Sequence, residues 1–235
     1  HEGQLLYESA KQIVQTFDTM VNRLQEARDI VSGSMRVATI YSIGLHNLPP
    51  YVKKFLRTYP TVTVHIEYRR ANQVYEDVLG NVVDLGLVAY PNKDARLEVV
   101  PLHEETMVLI CPPQHPFTKL KSLSIGHLQG QKFIGFEHDI PTRKAIDRIL
   151  REAGVEVKVV MEFDNIETVK RAVEIEAGIA IVPLGTVAQE VSKQTLVSIP
   201  FVDPLPGRPL AVIHRRSKVL SPALKRFIEI LKEPV

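Results

Sequence analysis

Cysteine is nearly missing: one in 235 residues. No disulfide can form within the chain, which fits a reducing compartment such as the cytoplasm. No apolar run reaches the roughly 18 residues that a transmembrane helix needs, so no membrane association is expected. Charges of the two signs almost cancel, with a formal net charge of +2. That balance excludes the strongly basic surface of a nucleic-acid-binding module. His1-Glu2-Gly3-Gln4 has neither the basic nor the apolar segment of a secretion signal, and with no initiator methionine the sequence reads as starting inside a longer protein. The eight histidines form no His-x-x-x-His pair and no Cys-His cluster, so no metal site is expected. No Gly-x-Ser-x-Gly elbow is present, which argues against a hydrolase built on Ser42. Gly126-His127-Leu128-Gln129-Gly130 lacks the Lys-Ser/Thr of a phosphate loop. The remainder is ordinary globular material, 45% hydrophobic and 24% charged, long enough for one large or two modest domains.

Residues 4–31 contain neither glycine nor proline and read as one helix about 42 Å long. Leu6, Ile13, Met20 and Ala27 recur every seventh position, as do Ala10, Phe17, Leu24 and Val31. The two sets interleave as an a/d seam, the pattern of a helix that meets a partner helix. Ser32-Gly33-Ser34 then breaks the helix and supplies a hinge.

From Ser34 the pattern changes. Met35, Val37, Thr39 and Tyr41 alternate as a strand, and Ser42 is placed to cap the helix that follows over 43–58, regular from about Pro49. A strand over 62–66, a helix over 72–80 capped by Asn72 and an apolar strand over 84–90 complete a β-α-β-α-β unit with a parallel sheet. Residues 97–102 and 105–111 read as two more strands. The pattern then recurs about 95 residues later, taking Met35 to Phe133, Val62 to Val157 and Asp84 to Gly178, with Pro141 opening a helix and Asn165 capping another. Strands over 196–200 and 209–215 and a helix over 222–232 capped by Ser221 close the chain. The expected architecture is α/β: two Rossmann-like β-α-β-α-β subdomains joined by two crossover segments, after a long helix. The expected division is 1–33 for helix and hinge, 34–112 with 210–235 for one subdomain, and 113–209 for the other.

Open parallel sheets bind ligands beyond the carboxyl ends of their strands. Here those ends are Tyr41-Ser42-Ile43 and Ala89-Tyr90-Pro91 in one unit, and Phe136-Glu137-His138 and Val182-Pro183 in the other, beside the turn at Asp164-Asn165-Ile166. Helix starts at 43, 141 and 166 would converge on the cleft between the units, and backbone N–H groups with the helix dipole favour an anion.

The order of long helix, Gly-Ser hinge, MRVATIYSIGLHNLPPYVKKFLRTYPTVTVHIEY, VVDLGLVAY, MVLICPPQHPF and FDNIETVKRAVEIEAGIAIVP resembles the LysR-type transcriptional regulators over essentially the whole chain. One departure is Glu176-Ala177-Gly178, where members of that family often place two glycines. The resemblance implies a periplasmic-binding-protein-like regulatory domain that holds a small effector and uses no cofactor. It implies a homodimer or homotetramer that meets operator DNA only through an N-terminal winged helix-turn-helix absent here. Ser42 and Asn165 would be its polar contacts. Ile43, Phe136, Glu137 and Ile166 would offer backbone N–H groups or walls, and Tyr41, Tyr90 and Pro183 would line the mouth. A periplasmic-type solute-binding protein is the alternative, and an enzyme on the same scaffold a more distant one, since no catalytic dyad is evident. Cys111 reads as a core residue, Glu137-His138-Asp139 as a polar loop at the cleft edge in preference to a cation site, Arg69-Arg70 as a solvated strand end with pairing to an anionic ligand or a neighbouring subunit as the alternative, and Lys119-Leu120-Lys121 as a solvated loop. Arg143 stands out, because a cation in the first turn of a helix is unfavourable without an anion nearby.

Overall fold

The computed structural model describes residues 2–27, 31–203 and 205–233. Helix α1 (Glu2–Ala27) leads. Leu6, Ala10, Ile13, Phe17, Met20 and Leu24 are all exposed on it and form one apolar face. The Ala27 side chain and the stretch 28–30, where the expected helix would have continued, lie outside the described residues. Val31 is not helical; it packs against the core of the first lobe instead of extending the seam. At the hinge, Gly33 has φ +101°, a conformation that glycine alone adopts without strain.

The first lobe is built from β1 (Gly33–Thr39), α2 (Leu48–Thr58), β2 (Val62–Tyr68), α3 (Ala71–Leu79), β3 (Leu85–Ala89), β4 (Leu97–Glu105), β10 (Arg208–Arg215) and α7 (Pro222–Lys232). Its sheet runs β2-β1-β3-β10-β4, with the apolar β3 buried at its centre. Strands β1, β2 and β3 are parallel, as the β-α-β-α-β pattern requires, and β10 is antiparallel to both neighbours. Phe55 of α2 and Phe227 of α7 meet edge to face at 5.1 Å, and both are fully buried.

The second lobe holds β5 (Met107–Cys111), β6 (Lys132–Phe136), α4 (Pro141–Glu152), β7 (Lys158–Phe163), α5 (Ile166–Glu174), β8 (Ala180–Pro183), α6 (Ala188–Ser192) and β9 (Val197–Ile199). Strand β5 lies antiparallel between β8 and β9, while β6 pairs with β7. A bridge from Phe133 to Ile179 joins the two ladders, giving the order β7-β6-β8-β5-β9. This repeats the first sheet strand for strand.

Three local expectations are corrected. The crossing into the second lobe falls at Thr106, not after Pro112, because β5 pairs in the second sheet and its side chains belong to the second core. Helix α3 starts one residue before Asn72: Arg70 is its cap, and Gln73 Oε1 accepts from the Arg70 N–H at 3.2 Å. Ser42 is not a side-chain cap. Its backbone is already helical, a π-helical turn (Ile43–Asn47) carries the chain into α2, and the Ile40 carbonyl accepts from the Gly44 N–H.

Candidate functional site

A cleft of about 850 Å³ lies between the lobes. Its floor is tied together by one guanidinium. Arg208 begins β10 and stands opposite Glu105, the last residue of β4, in the antiparallel ladder. Both are buried, and Arg208 Nη1 is ion-paired to Glu105 Oε2. Two neighbouring N–H groups of the same guanidinium reach outward. Nη2 donates to Ser42 Oγ at 2.8 Å, and Nε donates to Thr142 Oγ1 at 3.2 Å. Ser42 belongs to the first lobe and Thr142 to α4 of the second, so Arg208 spans both. A buried ion pair is sustained only when such hydrogen bonds satisfy it. Glu105 Oε1 remains buried without a partner among the described residues.

The walls are largely aromatic and apolar. Tyr41 is stacked on Tyr68 at 5.4 Å. Tyr90 takes φ +50°, which a bulky side chain rarely adopts, and its N–H donates to the Pro209 carbonyl at 2.8 Å. Burial pushes the Tyr90 phenol above its ordinary pKa against the opposing pull of Arg208, so it stays a protonated hydroxyl at neutral pH. The Tyr75 phenol is likewise raised by burial and accepts from the Asn92 N–H at 2.8 Å. Phe136, Ile140, Ile149, Ile166 and Pro183 supply the opposite side.

Polar latches join the lobes. Arg70, at the start of α3, is ion-paired to Glu137 and lies 3.4 Å from Asp139, both on the loop after β6. His46 Nε2 meets Glu167 Oε1 at 2.8 Å. Lys170, almost fully buried, holds Glu167 at 2.9 Å and Glu190 at 3.0 Å and donates to the Thr186 carbonyl.

Of the nine residues expected to contact a ligand, Tyr41, Ser42, Tyr90, Phe136, Asn165, Ile166 and Pro183 line the cleft. Two do not. Ile43 is 1% exposed and packs in the first lobe's core, because the π-helical turn rotates it inward. Glu137 spends its N–H on the Phe163 carbonyl and its carboxylate on Arg70. Asn165 is occupied as the cap of α5: its Oδ1 accepts from the N–H groups of Glu167 and Thr168, and its Nδ2 donates to Asp164. Arg143 finds its anions inside the protein, in Asp147 one turn on and Glu162 of β7, and donates to the Phe136 carbonyl at 2.6 Å. Arg70 is paired across the cleft mouth, not merely solvated. The expectation missed Arg208, Thr142 and Glu105. The only local signal was a charged residue at the end of each strand that flanks a crossing.

Among the described residues no group of three His, Cys, Asp or Glu could hold a metal ion, and no helix is long and apolar enough to cross a membrane. The single cysteine, Cys111, is buried, and burial raises its thiol pKa to about 11.

Two α/β lobes with matching strand orders and a ligand-sized cleft at their junction define a bilobal binding domain of the periplasmic-binding-protein type. The model of the LysR substrate binding domain matches residues 28–234, and the chain belongs to that family. Its curated relatives are transcriptional regulators. One is YbhD of Escherichia coli K12, 28% identical over 97% of this chain and 72% of that protein. The regulatory domain of Synechocystis PCC6803 CcmR, solved in complex with 2-PG, superposes with a TM-score of 0.77 at 24% identity, covering 86% of this chain and 96% of that one. The effector-binding domain of QuiR, solved in complex with shikimate, does so with a TM-score of 0.77 at 20% identity over the same shares.

Proposed function

We propose that this chain is the effector-sensing and oligomerisation region of a cytoplasmic LysR-type regulator, and that its cleft takes a small organic anion. The observation that carries the reading is the floor: one buried guanidinium bonded to a hydroxyl from each lobe. A molecule seated there touches both lobes at once, so its affinity depends on their relative orientation. Only such a difference in affinity lets a ligand shift a conformational equilibrium. The cleft volume lies within the range of small-molecule sites, and the CcmR and QuiR domains were solved with small molecules bound. The exposed seam of α1 serves dimer or tetramer formation, and through α1 the state of the lobes reaches an N-terminal winged helix-turn-helix that contacts operator DNA. The effector acts without a resident cofactor, and the region senses without catalysing.

The test is Ser42→Arg, which sets a second guanidinium on the cleft floor. Native mass spectrometry of protein purified without added ligand should find a retained small molecule in the wild type and none in the variant. Circular dichroism and oligomeric mass should stay unchanged. Equal retention by both proteins would overturn the reading.

A further inference from the structure

We infer that Arg208 is a positioning residue that makes the Ser42 and Thr142 hydroxyls a matched pair of donors, and that the cleft floor thereby selects a carboxylate. The inference rests on the cleft being the effector site. A guanidinium can only donate. The Ser42 and Thr142 oxygens each accept from Arg208, at 2.8 and 3.2 Å, so each hydroxyl must send its single proton elsewhere. Neither has an acceptor for that proton among the described residues. Ser42 is 8% exposed and Thr142 5%, and both line the cleft, so the unspent protons belong to the cleft and not to bulk solvent.

The two oxygens are held by two nitrogens of one planar group, so both hydroxyls are near one another and both protons can turn to a shared acceptor. Two neighbouring donors match the two oxygens of a carboxylate. An amidinium or ammonium would meet only the remaining lone pair of each oxygen and would leave both hydroxyl protons without an acceptor. The two donors also undersupply a phosphate or sulfate, which has more oxygens to satisfy. Glu105 neutralises Arg208, so the floor carries no uncompensated charge to attract a dianion. The cleft cation without a carboxylate partner among the described residues is Lys144, on the α4 wall and exposed; Arg69, Arg70 and Arg148 are each paired to acids of this chain. One negative charge at the floor, on a body that meets the apolar and aromatic lining of the cleft, fits this arrangement.

Benzoate and benzamidine are planar isosteres of opposite hydrogen-bonding polarity, and inorganic phosphate is the third probe. Binding to the wild-type chain is read by calorimetry and by NMR shifts of the Ser42 and Thr142 amides. Benzoate should bind saturably in the millimolar range, at least about tenfold tighter than either benzamidine or phosphate, the size of one or two charge-assisted hydrogen bonds. Arg208→Lys keeps a cation beside Glu105 but cannot present the fork. It should cut benzoate affinity about tenfold and bring the benzoate–benzamidine ratio towards one. A purely structural role would lower the melting temperature and leave that ratio unchanged. Thr142→Val removes one donor at constant shape but also strands the Arg208 Nε–H, so it should lower the melting temperature somewhat; the readout is the benzoate–benzamidine ratio of the folded variant, which should fall towards one even if Arg208→Lys does not fold. Benzamidine or phosphate binding as well as benzoate, no saturable benzoate binding, or an unchanged preference in both variants would overturn the inference. A retained molecule displaced by Ser42→Arg would still stand in each of those cases, so failure here is separable from failure of the effector-cleft reading.

Discussion

Glu176 shows how one side chain can carry a local cost. It takes φ +63°, left-handed backbone that favours glycine, at the position where the family pattern often has the first of two glycines. The second is kept as Gly178, and necessarily so: a Cβ there would lie 2.6 Å from the Lys132 carbonyl oxygen, inside the bridge that unites the second sheet. Glu176→Gly should therefore raise stability by about 1 kcal/mol, read as a higher urea midpoint at unchanged slope. An unchanged or lower midpoint would show that the strain is already relieved by the turn. Local pattern located this departure. It could not reveal that the Glu176 backbone is left-handed, nor that Arg208 would find Ser42 and Thr142, which lie 166 and 66 residues away in sequence. Such partners are chosen by lobe packing, to which no periodicity refers.

Secondary elements were far more legible, since helices and strands announce themselves by apolar spacing and caps. Strand β6, helix α7 with its Ser221 cap, and the Asn165 cap of α5 fall where the residue pattern places them. Elements whose form depends on tertiary contact were not legible. The segment after β1 becomes a π-helical turn because Ile43 and Leu48 both have to reach the core, and β5 joins the second sheet although it follows β4 after a single residue. Helix α1 is the clearest case of an element whose pattern points outside its own lobe. Phe17 is 60% exposed and Ile13 70%, more than a helix folded back on its domain would leave. If α1 is the oligomerisation element, Phe17→Asp should convert the assembly to monomers in sedimentation velocity without altering the melting of the lobes. An unchanged sedimentation coefficient would remove α1 from the interface.

The two cores are joined in part by polar bridges, and acid should weaken the stabilisation that their carboxylates supply. Burial alone would raise the Glu167 pKa, yet hydrogen bonds from Lys170 and His46 outweigh it and hold the carboxyl below its ordinary value. A depressed carboxylate stabilises the folded state fully above the ordinary glutamate pKa, about 4.3. That stabilisation is lost as pH falls through the depressed folded value. Glu167→Gln should flatten the stability profile below about pH 4.3 and lower stability at neutral pH, as measured by urea unfolding across pH 3–7. A variant profile parallel to the wild type would show that the Glu167 carboxylate does not stabilise the fold through Lys170 and His46.

The matching strand orders have a consequence for how the chain is threaded. In the second lobe the antiparallel strand, β5, comes first; in the first lobe its counterpart, β10, comes last. Joined head to tail, the two lobes would make a closed ring of two tandem modules, each an antiparallel strand followed by a β-α-β-α-β unit and an edge strand. The real chain is that ring opened at one point, between α7 and β1, and the opening is where α1 is attached. Both ends return to the same place: Val31 accepts from Thr61 at the start of β2, and Glu233 from Tyr51 on α2. The second lobe is thus an inserted cassette, and along the chain its position is passed towards α1 through the first lobe.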